Sequence, residues 1–233
     1  MKYEAILFDL DGTLLPMDND EFTKGYLGLL SKAVAPHGYK AEVLIPAMWK
    51  GVEAMVKNDG SCINSERFWS VFSDIIGRDT TEDIPKFDAF YTDGFNKAVC
   101  FTQPNPLAKV AVDMARSKAE RVVLATNPFF PPVAVTSRLA WTGISPADFD
   151  LITHYDNSKF CKPNPAYYIE ITDKLGVNPE NCLMIGNNTH EDISAAQSAG
   201  LSTFLLTDCL ISKEPIPTTP QGSFTDLLEF LGR

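Results

Sequence analysis

An α/β fold, a doubly wound parallel sheet with a second, smaller and all-helical domain, is what this 233-residue chain predicts. Three observations lead there. Four short runs rich in Ile, Leu, Val and Phe (Ala5 to Leu10, Arg121 to Ala125, Cys182 to Ile185 and Thr203 to Leu206) are each bounded by polar or Gly/Pro residues, the pattern of buried parallel strands. Stretches of helical period fall between and after them. The segment from about Met17 to Thr102 has helical period alone, with no clear strand.

In chain order, the first strand leads directly into the helical segment. There Phe22, Tyr26, Leu29, Leu30 and Ala33 share one helical face, and Leu44, Met48, Val52 and Met55 a second. Phe68, Trp69, Phe72 and Ile76 form a third face, and Phe87 to Phe95 a fourth helix. A helical block between the first strand and the next βα unit reads as an insertion, a cap over the sheet's edge. Its linkers are Leu15 to Asp20 and Phe101 to Pro106, rich in Pro, Asn and Asp. The predicted boundaries are therefore 1–16 with 103–233 for the sheet domain and 17–102 for the cap. Leu107, Val110, Ala111, Met114 and Ala115 then mark the helix before the second strand, and Phe129-Phe130-Pro131-Pro132 an apolar turn into the next helix. Asp150 to Thr153 reads as a fifth, weaker strand. Tyr167, Tyr168, Ile171 and Leu175 mark a helix stopped by Gly176, and Glu191 to Ala199 another. Ser212 to Ser223, rich in Pro, Thr and Ser, reads as a surface loop before a closing helix from Phe224 to Leu231.

Composition excludes several functions. Asp and Glu number 30 against 20 Lys and Arg, a net charge of −10, and no basic run offers a phosphate-neutralising face, so nucleic acid is not an expected partner. The apolar runs fall short of the roughly 18 residues of a membrane span. Glu4 interrupts any basic leader, and Ala5 to Phe8 is too short for the apolar part of a secretory signal. The five cysteines (62, 100, 161, 182, 209) are scattered without a CxxC pair, which predicts free thiols in a reducing compartment. A cytoplasmic protein with no membrane partner is the expectation; oligomeric state is not legible.

Three strands end in polar groups: Asp9-Leu10-Asp11-Gly12-Thr13, Thr126-Asn127 and Gly186-Asn187-Asn188. Open α/β sheets bind ligands outside the carboxyl ends of their strands, so these groups should converge. Side chains two apart on an extended segment point the same way, which lets Asp9 and Asp11 face one reactant, and Gly12 permits a tight turn behind them.

On these residues the chain resembles the haloacid dehalogenase (HAD) superfamily over its whole length, with a cap of the type inserted after the first motif. The first signature is Ile6-Leu7-Phe8-Asp9-Leu10-Asp11-Gly12-Thr13; a specified D-x-D-G-T arises at roughly one position in a hundred thousand at average residue usage. Val122 to Asn127 is similar to the second, Lys162-Pro163 to the third, and Gly186 to Asp192 imperfectly to the fourth. The resemblance implies a Mg²⁺-dependent phosphatase acting on a small soluble phosphomonoester. Asp9 would form an aspartyl-phosphate; Asp11 would protonate the leaving oxygen and later deprotonate water. Phosphate-binding would fall to Gly12, Thr126, Asn127 and Lys162. The metal ligands implied are Asp9, the Asp11 carbonyl and Asp192, with Asn187 and Asn188 standing where most relatives place a further acid. Glu191 is a candidate to compensate or simply a favourable charge at a helix start, and His190 an outer neighbour of the metal or an ordinary polar position. Haloacid chemistry is disfavoured by Asp11, since a halide needs no proton. A phosphomutase and a non-catalytic binding module are the rival readings.

For substrate choice, Lys50, Lys57 and Arg67 are candidate cap cations, while Trp49, Trp69 and Phe72 are expected to pack the cap's own core; Lys159 is the rival to Lys162.

Overall fold

The computed structural model describes residues 3–212 and 215–232. Six strands form one parallel sheet: β1 (Tyr3–Phe8), β2 (Ala119–Leu124), β3 (Leu151–Ile152), β4 (Cys182–Gly186), β5 (Ser202–Leu206) and β6 (Gln221–Gly222), in the order β3-β2-β1-β4-β5-β6. β1, β2 and β4 carry the apolar runs because both faces are covered. Ile6, Phe8, Val122, Leu124 and Ile185 enter one buried cluster, and Ala5, Leu7, Val123 and Met184 the other. The order reverses at β1, and register sets the ends flush: Phe8 lies opposite Leu124 on one side and Ile185 on the other. β6 corrects the expectation of a plain loop from Ser212 to Ser223. Leu205 donates its amide to Pro220 and Thr207 to Gly222, which adds two residues to the sheet edge without any apolar signal. Lys213 and Glu214 of that stretch lie outside the described residues, as do Met1, Lys2 and Arg233 of the predicted bounds.

The sheet is flanked by α5 (Leu107–Lys118), α6 (Pro132–Trp141), α7 (Ala166–Leu175), a short α8 (Ala195–Ser198) and α9 (Phe224–Gly232). The helical segment contains α1 (Asn19–Val34), α2 (Ala41–Val56), α3 (Asn64–Ile76), α4 (Ile84–Thr92) and a 3₁₀ turn over Gly94–Phe101, where one longer fourth helix was expected. Asp18 caps α1, its carboxylate accepting from the amides of Asp20 and Glu21 at 3.0 and 2.9 Å. Buried faces differ from the predicted ones by a fraction of a turn. α1 buries Leu27 and Val34 with Phe22, Tyr26 and Leu30, while Leu29 is half-buried and Ala33 exposed; α5 buries Ala108 and Val112 and leaves Val110 in solvent. Each of the two packs against more than one neighbour, so its buried stripe is set by tertiary packing and not by period alone.

The two linkers run side by side: Met17 bridges Thr102 antiparallel, and the Gln103 amide donates to the Pro16 carbonyl at 2.8 Å. The apolar core does not divide there. One cluster continues from the sheet into the helical segment, through Phe95 and Tyr26 against Phe130 and Trp141 against Phe95. A second aromatic group, Tyr39, Phe68, Trp69, Phe72 and Phe87, joins α3 and α4 to the turn before α2. Trp69 and Phe72 thus pack the core as expected. All five cysteines are free thiols, and among the described residues no helix is long and apolar enough to cross a membrane.

Asp83 ties this helical segment together electrostatically. Its buried carboxylate accepts from Lys86, from the Tyr39 hydroxyl at 2.6 Å and from Arg78 at 2.6 Å. Lys86 first, then Tyr39, hold the carboxyl well below the usual carboxylate range. A depressed folded-state pKa gives stability that is complete above the unfolded value of ~3.9 and is lost as pH falls from there through the lower folded-state value. The cations are half in water, so Asp83→Asn is expected to cost about 2 kcal/mol at pH 7. Urea unfolding should show that cost shrinking towards pH 3; a cost independent of pH would contradict the argument.

Candidate active site

The three polar strand ends meet at the reversal of strand order, as the sequence implies. Asp9 follows β1 and donates its amide to the Ile185 carbonyl at 2.9 Å; Ala125, before Thr126, donates to the Phe8 carbonyl at 2.7 Å. The chain then turns tightly: Gly12 and Leu15 donate to the carbonyls of Leu15 and Leu10 at 2.8 Å each. Gly12 has φ +82°, and a Cβ there would stand 2.3 Å from Asn187 Nδ2, so the residue answers both to conformation and to close approach.

Lys162 is the electrostatic centre. It enters from the loop before α7, is buried, and donates from Nζ to Asp9 Oδ1 at 2.9 Å and Asp192 Oδ1 at 2.7 Å. Burial opposes its charge, but Asp192 and Asp9 outweigh it and hold the ammonium above its ordinary range. Lys159, its rival in sequence, is exposed. Burial pushes the Asp192 carboxyl up against the pull of Lys162. Asp192 sits on a widened π-helical turn, Thr189–Ser194, that replaces the regular helix expected from Glu191. Its Oδ2 accepts from the Asn188 amide at 3.0 Å, and Gly186 makes room for it, since a Cβ there would meet the carboxylate at 2.3 Å.

The amide side chains divide their work. Asn187 donates to the Cys209 carbonyl at 2.6 Å, and its Oδ1 lies 3.2 Å from the Thr13 hydroxyl, which is also 3.2 Å from Asp9 Oδ2. The Asn188 oxygen caps the next turn, accepting from the amides of His190 and Glu191 at 3.0 and 3.1 Å. Asn188, expected among the metal donors, is thus also the cap of this turn. Asn127 donates to Glu191 Oε2 at 2.9 Å and leaves its own buried Oδ1 without a partner. Glu191 is therefore tied to Asn127, and burial raises its carboxyl. His190 is exposed. Thr126 is buried and lines the same cavity; its carbonyl is fixed by Thr153 and Tyr167 hydroxyls at 2.7 and 2.9 Å.

Arg138 is the residue that sequence reading misses. Wholly buried on α6, it pairs with Asp11 Oδ2, stacks on Phe130 at 4.1 Å from the ring centre and donates from Nε to the Ala134 carbonyl. Its Nη2 and Asp11 Oδ1 have no partner. Burial raises the Asp11 carboxyl above its usual range, opposed by Arg138 and aided by Asp9. The available signal is a lone cation at the i+3 position from Val135, beside Leu139, on an apolar stripe: such a charge needs a buried counterion.

Asp9, Asp11, Thr126, Asn127, Asn187 and Asp192 share one cavity of about 220 Å³ beneath the helical segment. A wider groove of about 1140 Å³ along α3 and α4 holds none of these groups. The donors available to a metal are hard oxygens. Asp9 and Asp192 bring charge and Asn187 an amide oxygen, while among the described residues no three His, Cys, Asp or Glu gather closely enough to hold an ion alone. One or two carboxylates completed by water and phosphate is how Mg²⁺ is usually held, so the residues fit that ion.

Comparison with known proteins agrees with this geometry. A family profile for haloacid dehalogenase-like hydrolases matches residues 3–200. The chain is 27% identical to the pyrimidine 5'-nucleotidase PynA of Streptococcus pneumoniae, over 100% of this chain and 97% of that protein. It is also 27% identical to the pyrophosphatase PpaX of Bacillus velezensis, over 87% and 82%. Among solved structures, a 2-haloacid dehalogenase from Pseudomonas syringae superposes with a TM-score of 0.66 at 17% identity, over 99% of each chain. The magnesium-bound HAD hydrolase YfnB of Bacillus subtilis gives 0.61 at 19%, over 100% of each. With the motif order, the sheet reversal and a profile spanning most of the sequence in agreement, the chain belongs to the haloacid dehalogenase-like hydrolases and is a hydrolase of that family.

Proposed function

We propose that this hydrolase is a Mg²⁺-dependent phosphatase that passes the phosphoryl group of a small phosphomonoester to Asp9 and then to water. The observation that carries this reading is the convergence of Asp9, Asp11 and Thr126 on one cavity floor, with the buried Lys162 ammonium 2.9 Å from Asp9 Oδ1. The names of curated relatives, a nucleotidase, a pyrophosphatase and a glyceraldehyde 3-phosphate phosphatase, support a phosphorylated substrate.

An Asp9 oxygen attacks phosphorus as the bond to the alcohol oxygen breaks, and Asp11 gives that oxygen its proton. In the second half, water attacks phosphorus, Asp11 takes the water proton, and the bond from phosphorus to Asp9 breaks. Asp11 suits both halves: Oδ2 is anchored on Arg138, Oδ1 is uncommitted, and burial favours its neutral form. Thr126 and Asn127 would bind the phosphoryl oxygens and Gly12 lets the backbone approach them. A carboxylate facing a phosphate charge at ~4 Å meets roughly 4 kcal/mol of repulsion at an effective dielectric near 20. Asp9, the Asp11 carbonyl, Asp192 and Asn187 would hold the Mg²⁺ whose charge offsets that repulsion. We assign residues 17–102 as a cap that admits substrate and excludes water, hinging on the paired linkers.

The test is phosphate release from a panel of phosphomonoesters across a Mg²⁺ titration. With only two carboxylates for the ion, half-activation is expected in the millimolar range. Turnover without divalent metal, or saturation at micromolar Mg²⁺, would refute the assigned site.

A further inference from the structure

The cavity's two walls differ in kind. The floor is polar and acidic; the roof, supplied by the helical segment and the loop after β2, carries no charged side chain among the described residues. Met48, Trp49, Val52 and Phe68 line it together with Phe129 and Phe130. The three candidate cap cations pair elsewhere: Lys50 and Lys57 both with Glu53, at 2.7 and 2.6 Å, and Arg67 with Asp59 at 3.1 Å. Arg138 is spent on Asp11, and Lys162 on Asp9 and Asp192. Any second anionic group on the substrate would find no cation and would lie near Glu191.

Trp49 is the second observation. It is expected to pack the cap core, yet it is 54% exposed, the most exposed large apolar side chain among the described residues. Trp69, on the neighbouring helix, is instead enclosed by Phe68, Phe72 and Phe87. A bare indole at the mouth of a catalytic cavity offers a flat face to a ligand and little to the fold.

Resting on the phosphatase reading, we propose that the substrate is the monophosphate of a small, uncharged alcohol bearing an apolar or aromatic group, which stacks on Trp49 beneath Val52 and against Phe129, and that esters with a second phosphate or carboxylate are rejected. The cavity, about 220 Å³, lies below the roughly 300–1,000 Å³ of sites for drug-sized ligands, which limits the alcohol to about one ring.

Primary alkyl esters of similar leaving-group basicity isolate the effect: 2-phenylethyl phosphate, ethyl phosphate and the phosphate ester of 3-hydroxypropanoate. We expect kcat/KM to be about 30-fold or more higher for the phenylethyl than the ethyl ester, and lower still for the carboxylate ester, from apolar burial in the roof. Trp49→Ala should cut the phenylethyl advantage about tenfold. Equal turnover of all three, preference for the carboxylate ester, or an advantage unchanged in Trp49→Ala would overturn the proposal while leaving the phosphatase reading intact. The converse failure is read by binding. 3-Phenylpropylphosphonate, which cannot be hydrolysed at its P–C bond, should quench tryptophan fluorescence in the wild-type protein with Mg²⁺, and do so far less in Trp49→Ala. Quenching without turnover of any ester would sink the phosphatase reading and keep the apolar site; absent quenching would sink the site.

Discussion

Asp9→Asn is expected to lower phosphate release by at least about 10⁴-fold while leaving the fold in place, because an amide oxygen cannot form the covalent phosphoryl intermediate. The substitution keeps side-chain volume, and its oxygen still accepts from Lys162, which lies 2.9 Å from Asp9 Oδ1. The Thr13 hydroxyl, 3.2 Å from the other oxygen, can accept from the new amide and donate to Asn187. Electrostatics also favour the variant: with one carboxylate removed, the Lys162 ammonium is left to Asp192, 2.7 Å away, and the excess negative charge of the cluster falls. Urea unfolding should therefore show a change of no more than about 1 kcal/mol. Loss of activity with an unchanged unfolding midpoint assigns the nucleophile. A residual rate above about 1% would argue that water attacks phosphorus directly and that Asp9 only positions a cation.

How much of this was readable in advance differs by residue. β1 and the Asp9 to Thr13 turn were legible because an apolar run buried on both faces leads directly into a rare polar pattern. The convergence of Thr126, Asn127 and Asn187 with it followed from the geometry of parallel sheets, and the structure brings them to one cavity. β6 was not legible, since Gln221 and Gly222 are held by backbone bonds to β5 and carry no apolar signal. Motif position points Asn188 to the metal, but an asparagine before a helical turn is also a good cap, and its side chain accepts from the two amides of that turn. Trp49 was misread because helical period finds an apolar face but does not say whether that face meets a core or a cavity. The same limit displaced the buried stripes of α1 and α5.

Arg138→Met is expected to be the most destabilising single change at the site and to impair catalysis through Asp11. A wholly buried guanidinium paired with a carboxylate cannot be removed without leaving the partner's charge behind; such losses cost about 3–5 kcal/mol, and the part of Asp11 that still reaches water lowers this to about 2–4. Met fills most of the volume and can lie on Phe130, so a cavity is not the main cost. Arg138 lowers the Asp11 carboxyl while burial raises it, so its removal moves Asp11 further up. A higher Asp11 pKa keeps the proton donor loaded to higher pH and delays the base needed to activate water, so the pH optimum should rise. Freed from its anchor, Asp11 also loses its orientation, worth about 10–100-fold in rate. Arg138 would then be a positioning residue, and a double-mutant cycle separates that role from simple loss of stability. In an Asp11→Asn background there is no carboxylate to orient or leave uncompensated, so adding Arg138→Met should change the residual rate little and cost less stability than it does in the wild type. Additive effects on both rate and stability would mean that Arg138 acts on the fold independently of Asp11, and the anchored proton donor would have to be abandoned.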